Sequence, residues 1–443
     1  MKNLHSIMLD KDKCKGCTNC IKRCPTEAIR VRNSKAKIID QRCIDCGECI
    51  RTCPYHAKYA VTNSLEEIRK FEYKIALPAP SFYAQFEVDD VNKLLYALLE
   101  LGFDDVFEVA KAAEIVTYFT RQFIISNRNK KPIISSACPA VVRLIQTKFP
   151  DLIENILPIA SPMEVAAYIA KKRIQKEKGI EEGKIGVFFI SPCAAKMTYV
   201  NSPLGFKRSY VDGVIAIKDV YGLVRSKLRE IRDVKHLSIA SGKGIGWAAS
   251  GGESLALEIE EYVNVDGIHN VVKVLEEIEN GRLKDIVYFE GLACSGGCVG
   301  GPLTVENPYV AKNRIKRLSS KLKDKEESFS SWTEEIINSF SLKLEDVLFE
   351  KELEINPVLE LDSDIERAME KFEKLNNILS MLPGLDCGAC GSPTCKTLAE
   401  DIVRGFANDT DCIFILRENI KELANKMVEL SNKLPPSLER NDE

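Results

Sequence analysis

Sixteen cysteines lie in this 443-residue chain, and eight of them fall into two copies of one spacing. The first copy is Cys14-x2-Cys17-x2-Cys20-x3-Cys24-Pro25, and the second is Cys43-x2-Cys46-x2-Cys49-x3-Cys53-Pro54. Thiols packed this densely leave little room for an apolar core, so the backbone there must wrap whatever the sulfurs bind. Disulfides are an unpromising use for them. The opening MKNLHSIMLDKDKCKGC lacks the apolar stretch of a signal peptide, and no apolar run reaches the ~18 residues of a membrane helix. The expected location is the cytoplasm, with no membrane partner, where thiols stay reduced. Only four histidines occur, His5, His56, His236 and His269, and no two share a metal-binding spacing. Each is read as an ordinary surface or core residue, and the chemistry belongs to sulfur.

The doubled spacing is that of the bacterial two-cluster ferredoxins, in which three cysteines of one run and the last of the other hold each 4Fe–4S cluster. Cys14, Cys17, Cys20 and Cys53 would hold one cluster, and Cys43, Cys46, Cys49 and Cys24 the other. Zinc also accepts four thiolates, but the doubled run with its closing prolines favours clusters. Near the other end comes LPGLDCGACGSPTC, followed by Cys412. Its ligand candidates are Cys387, Cys390, Cys395 and Cys412, with Gly388 and Gly391 allowing sharp turns. This stretch resembles the single-cluster domain of the corrinoid iron–sulfur protein and of ion-pumping ferredoxin oxidoreductases; a zinc knuckle is the alternative.

Four cysteines remain, Cys138, Cys193, Cys294 and Cys298. They close three apolar runs, KPIISSAC, KIGVFFISPC and DIVYFEGLACSGGC, each suited to a buried strand. Helix-like segments such as PMEVAAYIAKKRIQKEK lie between them, so the pattern predicts an α/β domain with parallel sheet. Ligands of such sheets collect at the carboxyl ends of the strands, where these cysteines would meet around a fourth cluster. The chain is 45% hydrophobic, enough for real cores, and its net charge of −3 with both signs mixed gives no case for a nucleic-acid partner.

SSACP, SPCAAK and EGLACSGGCVGG resemble the three signature loops of the iron–iron (FeFe) hydrogenases. The resemblance spans residues 1 to about 320. It implies an H-cluster, a 4Fe–4S cube joined through one cysteine to a two-iron unit carrying CO, cyanide and a dithiolate bridge, in addition to three accessory 4Fe–4S clusters. Cys138, Cys193, Cys294 and Cys298 would hold the cube, with Cys298 as the bridge. Lys196 matches the lysine that donates to one cyanide, Pro80 and Ser81 match the stretch around the second, and Pro162 matches a proline of the pocket wall. WAASGGES, residues 247–254, resembles the glycine-rich turn over the cofactor and would place Trp247 against it. A nucleotide loop competes for GKGIGWAASGG, but no GxxxxGK[ST] is present.

The pattern also breaks. Where the family has a proton-carrying cysteine before Cys138, this chain has Ala137, and a methyl group carries no proton. The relay glutamate of the following helix aligns with Phe119 or its neighbour. Leu292 and Ser191 stand where methionines are usual. Such losses leave the ligands intact but remove positioned proton-transfer groups, which typically costs ~10²–10⁴ in rate. The profile resembles the sensory branch of the family: reversible H2 splitting at slow turnover, in the service of H2 or redox sensing. Glu253, at a position usually apolar, is a candidate substitute donor; a helix-start glutamate favoured by the macrodipole is the competing reading. Rival functions are a bulk electron-supplying hydrogenase with another proton route, and a non-enzymatic iron–sulfur protein like the hydrogenase-like assembly factors.

The expected architecture is a ferredoxin-like α+β domain (1–70) and an α/β H-cluster domain with two parallel-sheet lobes around a buried cofactor (71–320). A charged helical connector (321–375), a helical 4Fe–4S domain (376–412) and a terminal amphipathic helix and tail (413–443) follow. In the last, Ile413, Leu416, Ile420, Leu423, Met427, Leu430 and Leu434 repeat at 3-4 spacing before Pro435-Pro436, a coiled-coil seam or a helix packed on the cluster domain. Expected partners are H2 and protons, maturation enzymes for the two-iron unit, a ferredoxin-like or signalling protein, and a second copy of the chain.

Overall fold

The structure is a computed structural model and describes residues 5–127, 131–232, 234, 236–322, 326–358 and 360–433. Strands β1 (Ile7–Leu9) and β4 (Lys58–Ala60) pair antiparallel, as do β2 (Ile29–Arg32) and β3 (Lys35–Ile38), and the cysteine loops run between them.

The middle of the chain builds two parallel sheets. β5 (Tyr73–Pro78) lies beside β8 (Ile185–Ser191), with Ile75 opposite Val187, and β6 (Asp105–Val106) and β9 (Gly213–Ala216) flank them in the order β6-β5-β8-β9. β8 is buried at every position, as a strand covered on both faces requires, which is why IGVFFIS reads as a continuous apolar run. β7 (Ile133–Ile134), β10 (Tyr262–Asp266) and β11 (Tyr288–Leu292) form the second sheet in the order β10-β11-β7. Ile75, Val187, Phe189, Val116, Phe119 and Ala167 share one core, filled from the helices Val109–Ser126 and Pro162–Lys178. The strand ends do what parallel topology demands: β5 runs into Pro80, β7 into Cys138, β8 into Cys193 and β11 into Cys294, so both sheets discharge into one crevice.

Asp45 ties the N-terminal module to this body. One carboxylate oxygen accepts the Ser6 N–H at 3.0 Å, and the other accepts the Thr198 hydroxyl at 2.7 Å. Gly47, at φ +75°, sits so tightly on Pro302 that an added Cβ would lie 2.5 Å from its ring.

The stretch 321–375, expected as a charged helical connector, is helical at Glu326–Ser339 and Ile365–Met381, and part of it joins the body. Residues 323–325 lie outside the described ones. Beyond them the helix Glu326–Ser339 lies along Val109–Ser126. Thr333 is buried and accepts a hydrogen bond from Lys111 at 3.1 Å. Ile337, Leu342 and Val347 enter the central core, and the Ala160 N–H donates to the Val347 carbonyl at 2.8 Å. Ile336, Phe340, Leu344 and Leu348 pack against the same core, so this charged stretch is pinned to the body by its apolar positions.

The C-terminal unit packs the helices Ile365–Met381 and Cys395–Val403 through Leu375, Leu382 and Leu398. It docks on the N-terminal module through a buried ion pair: Arg30 Nε and Nη2 reach the two oxygens of Asp401 at 2.6 and 3.0 Å. The Val31 N–H donates to the Gly391 carbonyl at 2.8 Å beside it. The last helix, Ile413–Ser431, buries no residue. Its stripe faces solvent, with Ile420 58% and Leu430 65% exposed, so only its first turn packs on the cluster unit, through Ile415. Leu434, Pro435 and Pro436 lie outside the described residues. No helix among the described residues is long and apolar enough to cross a membrane.

Candidate metal centre and its pocket

The structure gathers the cysteines into four groups around four cavities. Cys14, Cys17, Cys20 and Cys53 line one; Cys24, Cys43, Cys46 and Cys49 line a second. Cys387, Cys390, Cys395 and Cys412 line a third, and Cys138, Cys193, Cys294 and Cys298 line the largest, about 100 Å³, in the crevice of the two sheets. Cys46 borders both the second cavity and the largest one, and Arg51 donates to the Cys294 sulfur at 3.5 Å, so the N-terminal module abuts the central pocket directly.

The local sequence explains the convergence. Cys138 and Cys193 each precede a helix, Pro139–Lys148 and Ala194–Asn201. Gly297, at φ +96°, lets the loop before Cys298 pass within contact of Ser250. Burial and the neighbouring sulfurs push the Cys298 thiol well above its ordinary range and Cys193 up to about 12. Thiolates this crowded and dry are stable only around a cation, so the donor set fits an iron–sulfur cube. Two further groups fit the rest of an H-cluster. The Ser81 hydroxyl is fully buried and has no hydrogen-bond partner among the described residues. The Lys196 ammonium is buried 5.3 Å from the Tyr199 ring; burial pulls its pKa down while Cys193 and Cys298 hold it up. An unpaired hydroxyl and a desolvated ammonium beside one space suit bound anionic acceptors.

Pro80, Ala137, Pro162, Trp247, Glu253 and Leu292 also line the pocket, and Trp247 is steadied by a 3.2 Å hydrogen bond to Thr117. Ser191 does not line it. Its hydroxyl turns back on its own loop, accepting the Cys193 N–H at 3.0 Å and donating to the Cys193 carbonyl at 3.1 Å, so the cofactor-binding expectation for Ser191 is corrected to a turn-forming one. Phe119 is 2% exposed within the apolar core, so this position of the helix offers no acid.

Glu253 is more than a helix-start charge. Its carboxylate accepts the Ser135 hydroxyl at 2.7 Å and the Tyr288 hydroxyl at 2.6 Å, and Ser135 Oγ in turn accepts the Ala137 N–H at 3.2 Å. Burial, then the Glu290 carboxylate, pushes its pKa up to about 8. Glu290 also borders the pocket; it accepts the Gly251 N–H at 2.9 Å and the Ser254 hydroxyl at 2.8 Å. Sequence reasoning missed Glu290, although a lone acid inside the apolar run DIVYFEGL was a usable signal.

The features define an iron–sulfur redox protein whose metal site is sealed inside an α/β body. The chain belongs to the iron–iron hydrogenase family: the model for the iron-only hydrogenase large subunit, C-terminal domain, matches residues 72–260 and 253–302. A 4Fe-4S dicluster domain matches residues 6–54 and an Fe-S cluster family residues 382–414. Iron hydrogenase 1 of Clostridium pasteurianum is 24% identical over 388 residues, covering 71% of this chain and 67% of that protein. A cytosolic Fe-S cluster assembly factor of Schizosaccharomyces japonicus is 29% identical over 102 residues, covering 22% of this chain and 19% of its own. Among solved structures, an apo [FeFe]-hydrogenase HydA1 from Chlamydomonas reinhardtii superposes with a TM-score of 0.52 at 15% identity, over 66% of this chain and 98% of that one. That likeness bears on the fold.

Proposed function

We propose that the chain is a hydrogenase of sensory type, splitting H2 reversibly but slowly. The observation that carries the activity is the unpaired Ser81 hydroxyl and the buried Lys196 ammonium beside four convergent thiols. An assembly factor without a two-iron unit would have no use for either. Cys138, Cys193, Cys294 and Cys298 would hold the cube, with Cys298 as the bridge, and the H-cluster when bound supplies heterolytic cleavage of H2. The other three cysteine groups would hold accessory 4Fe–4S clusters that carry the electrons towards a ferredoxin-like or signalling partner.

Slow turnover follows from what surrounds the thiols. Ala137 offers no titratable hydrogen, and Phe119 fills the next position with a ring. Proton movement falls to Glu253, which holds a proton near neutral pH and reaches the Ala137 backbone through Ser135. This chain also supports the rival reading of a bulk hydrogenase with a rearranged proton route, since an acid that titrates close to the working pH is a competent donor. Infrared spectra of protein produced with the maturation enzymes test the activity. Bands of metal-bound CO and cyanide are expected, and their absence from protein with intact 4Fe–4S clusters would leave the non-enzymatic reading. A turnover number matching fast family members would decide for the bulk enzyme.

A further inference from the structure

Lys58 opens β4, opposite Leu9 of β1. It is 3% exposed, and its ammonium has no hydrogen-bond partner among the described residues. It lines the cavity of Cys14, Cys17, Cys20 and Cys53, and no carboxylate among the described residues forms a salt bridge with it. A buried ammonium without a counter-charge is among the costliest arrangements a fold can hold, and nothing in KYAV asks for one there. The negative charge that answers it is that of the sulfur sites. β4 also packs on the helix Glu48–Arg51, which carries Cys49 of the second group, and Lys58 is the foremost cationic influence on both Cys20 and Cys49.

We propose that Lys58 is the built-in counter-charge of both N-terminal 4Fe–4S clusters and raises their reduction potentials together. The inference rests on the reading that these two cavities hold such clusters. Each cluster gains one electron on reduction, from the 2+ to the 1+ core, and with four thiolates its total charge goes from −2 to −3. A fixed positive charge therefore stabilises the reduced form more than the oxidised one. Because the ammonium is shielded from solvent, salt screens this little. One residue thus makes the N-terminal module a two-electron sink beside the H2 pocket, to which it is joined through Cys46. Electrons released from H2 would rest there before passing to a one-electron acceptor of the iron–sulfur class.

The test is an EPR-monitored redox titration, with dithionite as reductant, of the full chain made without the maturation enzymes. Couples are assigned by their loss in Cys20→Ala and Cys46→Ala proteins. Lys58→Met should lower the reduction equilibrium constant of both N-terminal clusters at least tenfold, about 59 mV each for a one-electron couple. The couple lost in Cys395→Ala should stay in place, and Lys58→Arg should remain near wild type. If Lys58→Met does not assemble, Lys58→Gln carries the measurement. Unmoved potentials in the neutral variant, or an equal shift in Lys58→Arg, would overturn the inference. Wild-type protein holding only about eight of the sixteen irons that four clusters require, without the couples assigned through Cys20 and Cys46, would remove the underlying reading as well, and iron analysis separates that failure from a potential that does not move.

Discussion

The central pocket and the C-terminal unit use the same four-cysteine grammar to different ends. In the centre the sulfurs are ringed by groups with individual tasks: Ser81 unpaired, Lys196 desolvated, Glu253 and Glu290 pressed together. At the C-terminus Cys387 is exposed and the surroundings are turns, with Asp401 spent on docking to Arg30. Spacing alone therefore decides where a cluster can sit. What the cluster does is decided by the neighbours, which orient and tune a metal without binding it.

The widest contrast should come from breaking one cysteine on each side. Cys298→Ala is expected to abolish H2 turnover and the CO and cyanide bands while most of the iron remains. Cys395→Ala is expected to lose about four irons and keep those bands. Iron analysis with infrared spectroscopy reads both, and equal spectroscopic damage from the two would erase the distinction.

Within the pocket the comparison sharpens on Glu253. If it carries the proton, Glu253→Gln should cut turnover by ~10²–10⁴ with cluster content unchanged. In the wild type H2 production should fall as pH rises through about 8, where the buried acid gives up its proton; the glutamine variant should lack that limb. An unchanged pH profile would reduce Glu253 to a packing group.

The same shift has a stability signature. The folded acid keeps its proton up to about pH 8, whereas the unfolded one releases it near its ordinary 4.5. Its contribution to stability is thus present in full below pH 4.5 and is lost progressively up to about pH 8. Relative to Glu253→Gln, the wild type should weaken across that interval by a few kcal/mol, of the order of ~1.4 kcal/mol per pH unit where the two states differ by one proton. Denaturant melts at pH 5 and pH 8 measure it, and parallel pH trends would count against a Glu253 that keeps its proton in the fold.

Ala137→Cys is expected to do less. It restores a thiol at the pocket wall, but Phe119 supplies no acid to continue a relay, and the nearest carboxylate chain given by the structure is Ser135–Glu253. The gain in turnover should stay well under the full effect of a positioned acid, ~10²–10⁴, and grow when Phe119→Glu is added. A full gain from the single change would mean that Phe119 is no barrier.

The legible part of this molecule was the part set by local spacing. Both ferredoxin runs, the C-terminal loop and the three strand-to-cysteine boundaries are short-range patterns, and the parallel sheets follow from apolar runs such as IGVFFIS. The missing parts depend on partners distant in the chain. Glu290 meets Glu253 only because the register of β11 turns it inward, and Lys58 is unusual only once its burial at a cysteine-lined cavity is known. Arg30 finds Asp401 across almost the whole chain, a pairing no window of sequence contains. Phe329, Trp332, Ile336, Ile337 and Phe340 repeat at helical spacing, a period that the charged residues around them obscured.

The smallest effect on hydrogen chemistry should come from the last helix. Ile413–Ser431 presents Ile413, Ile420 and Met427 at one heptad position and Leu416, Leu423 and Leu430 at the other, all exposed. Isoleucine at two of the three first positions and leucine at the second suit a two-stranded parallel coiled coil, and burying large side chains of this kind contributes roughly 1.5–3 kcal/mol each. The positions bordering the stripe, Arg417, Asn419, Ala424, Lys426 and Ser431, supply no opposite-charge pairs, so such pairing would rest on apolar contact and resist salt. Removing residues 413–443 should therefore weaken self-association in sedimentation runs while H2 turnover per intact pocket stays near its original value. Replacing Ile420 and Leu423 with lysine should do the same without shortening the chain. An oligomeric state that neither change moves would leave the exposed stripe to a different protein.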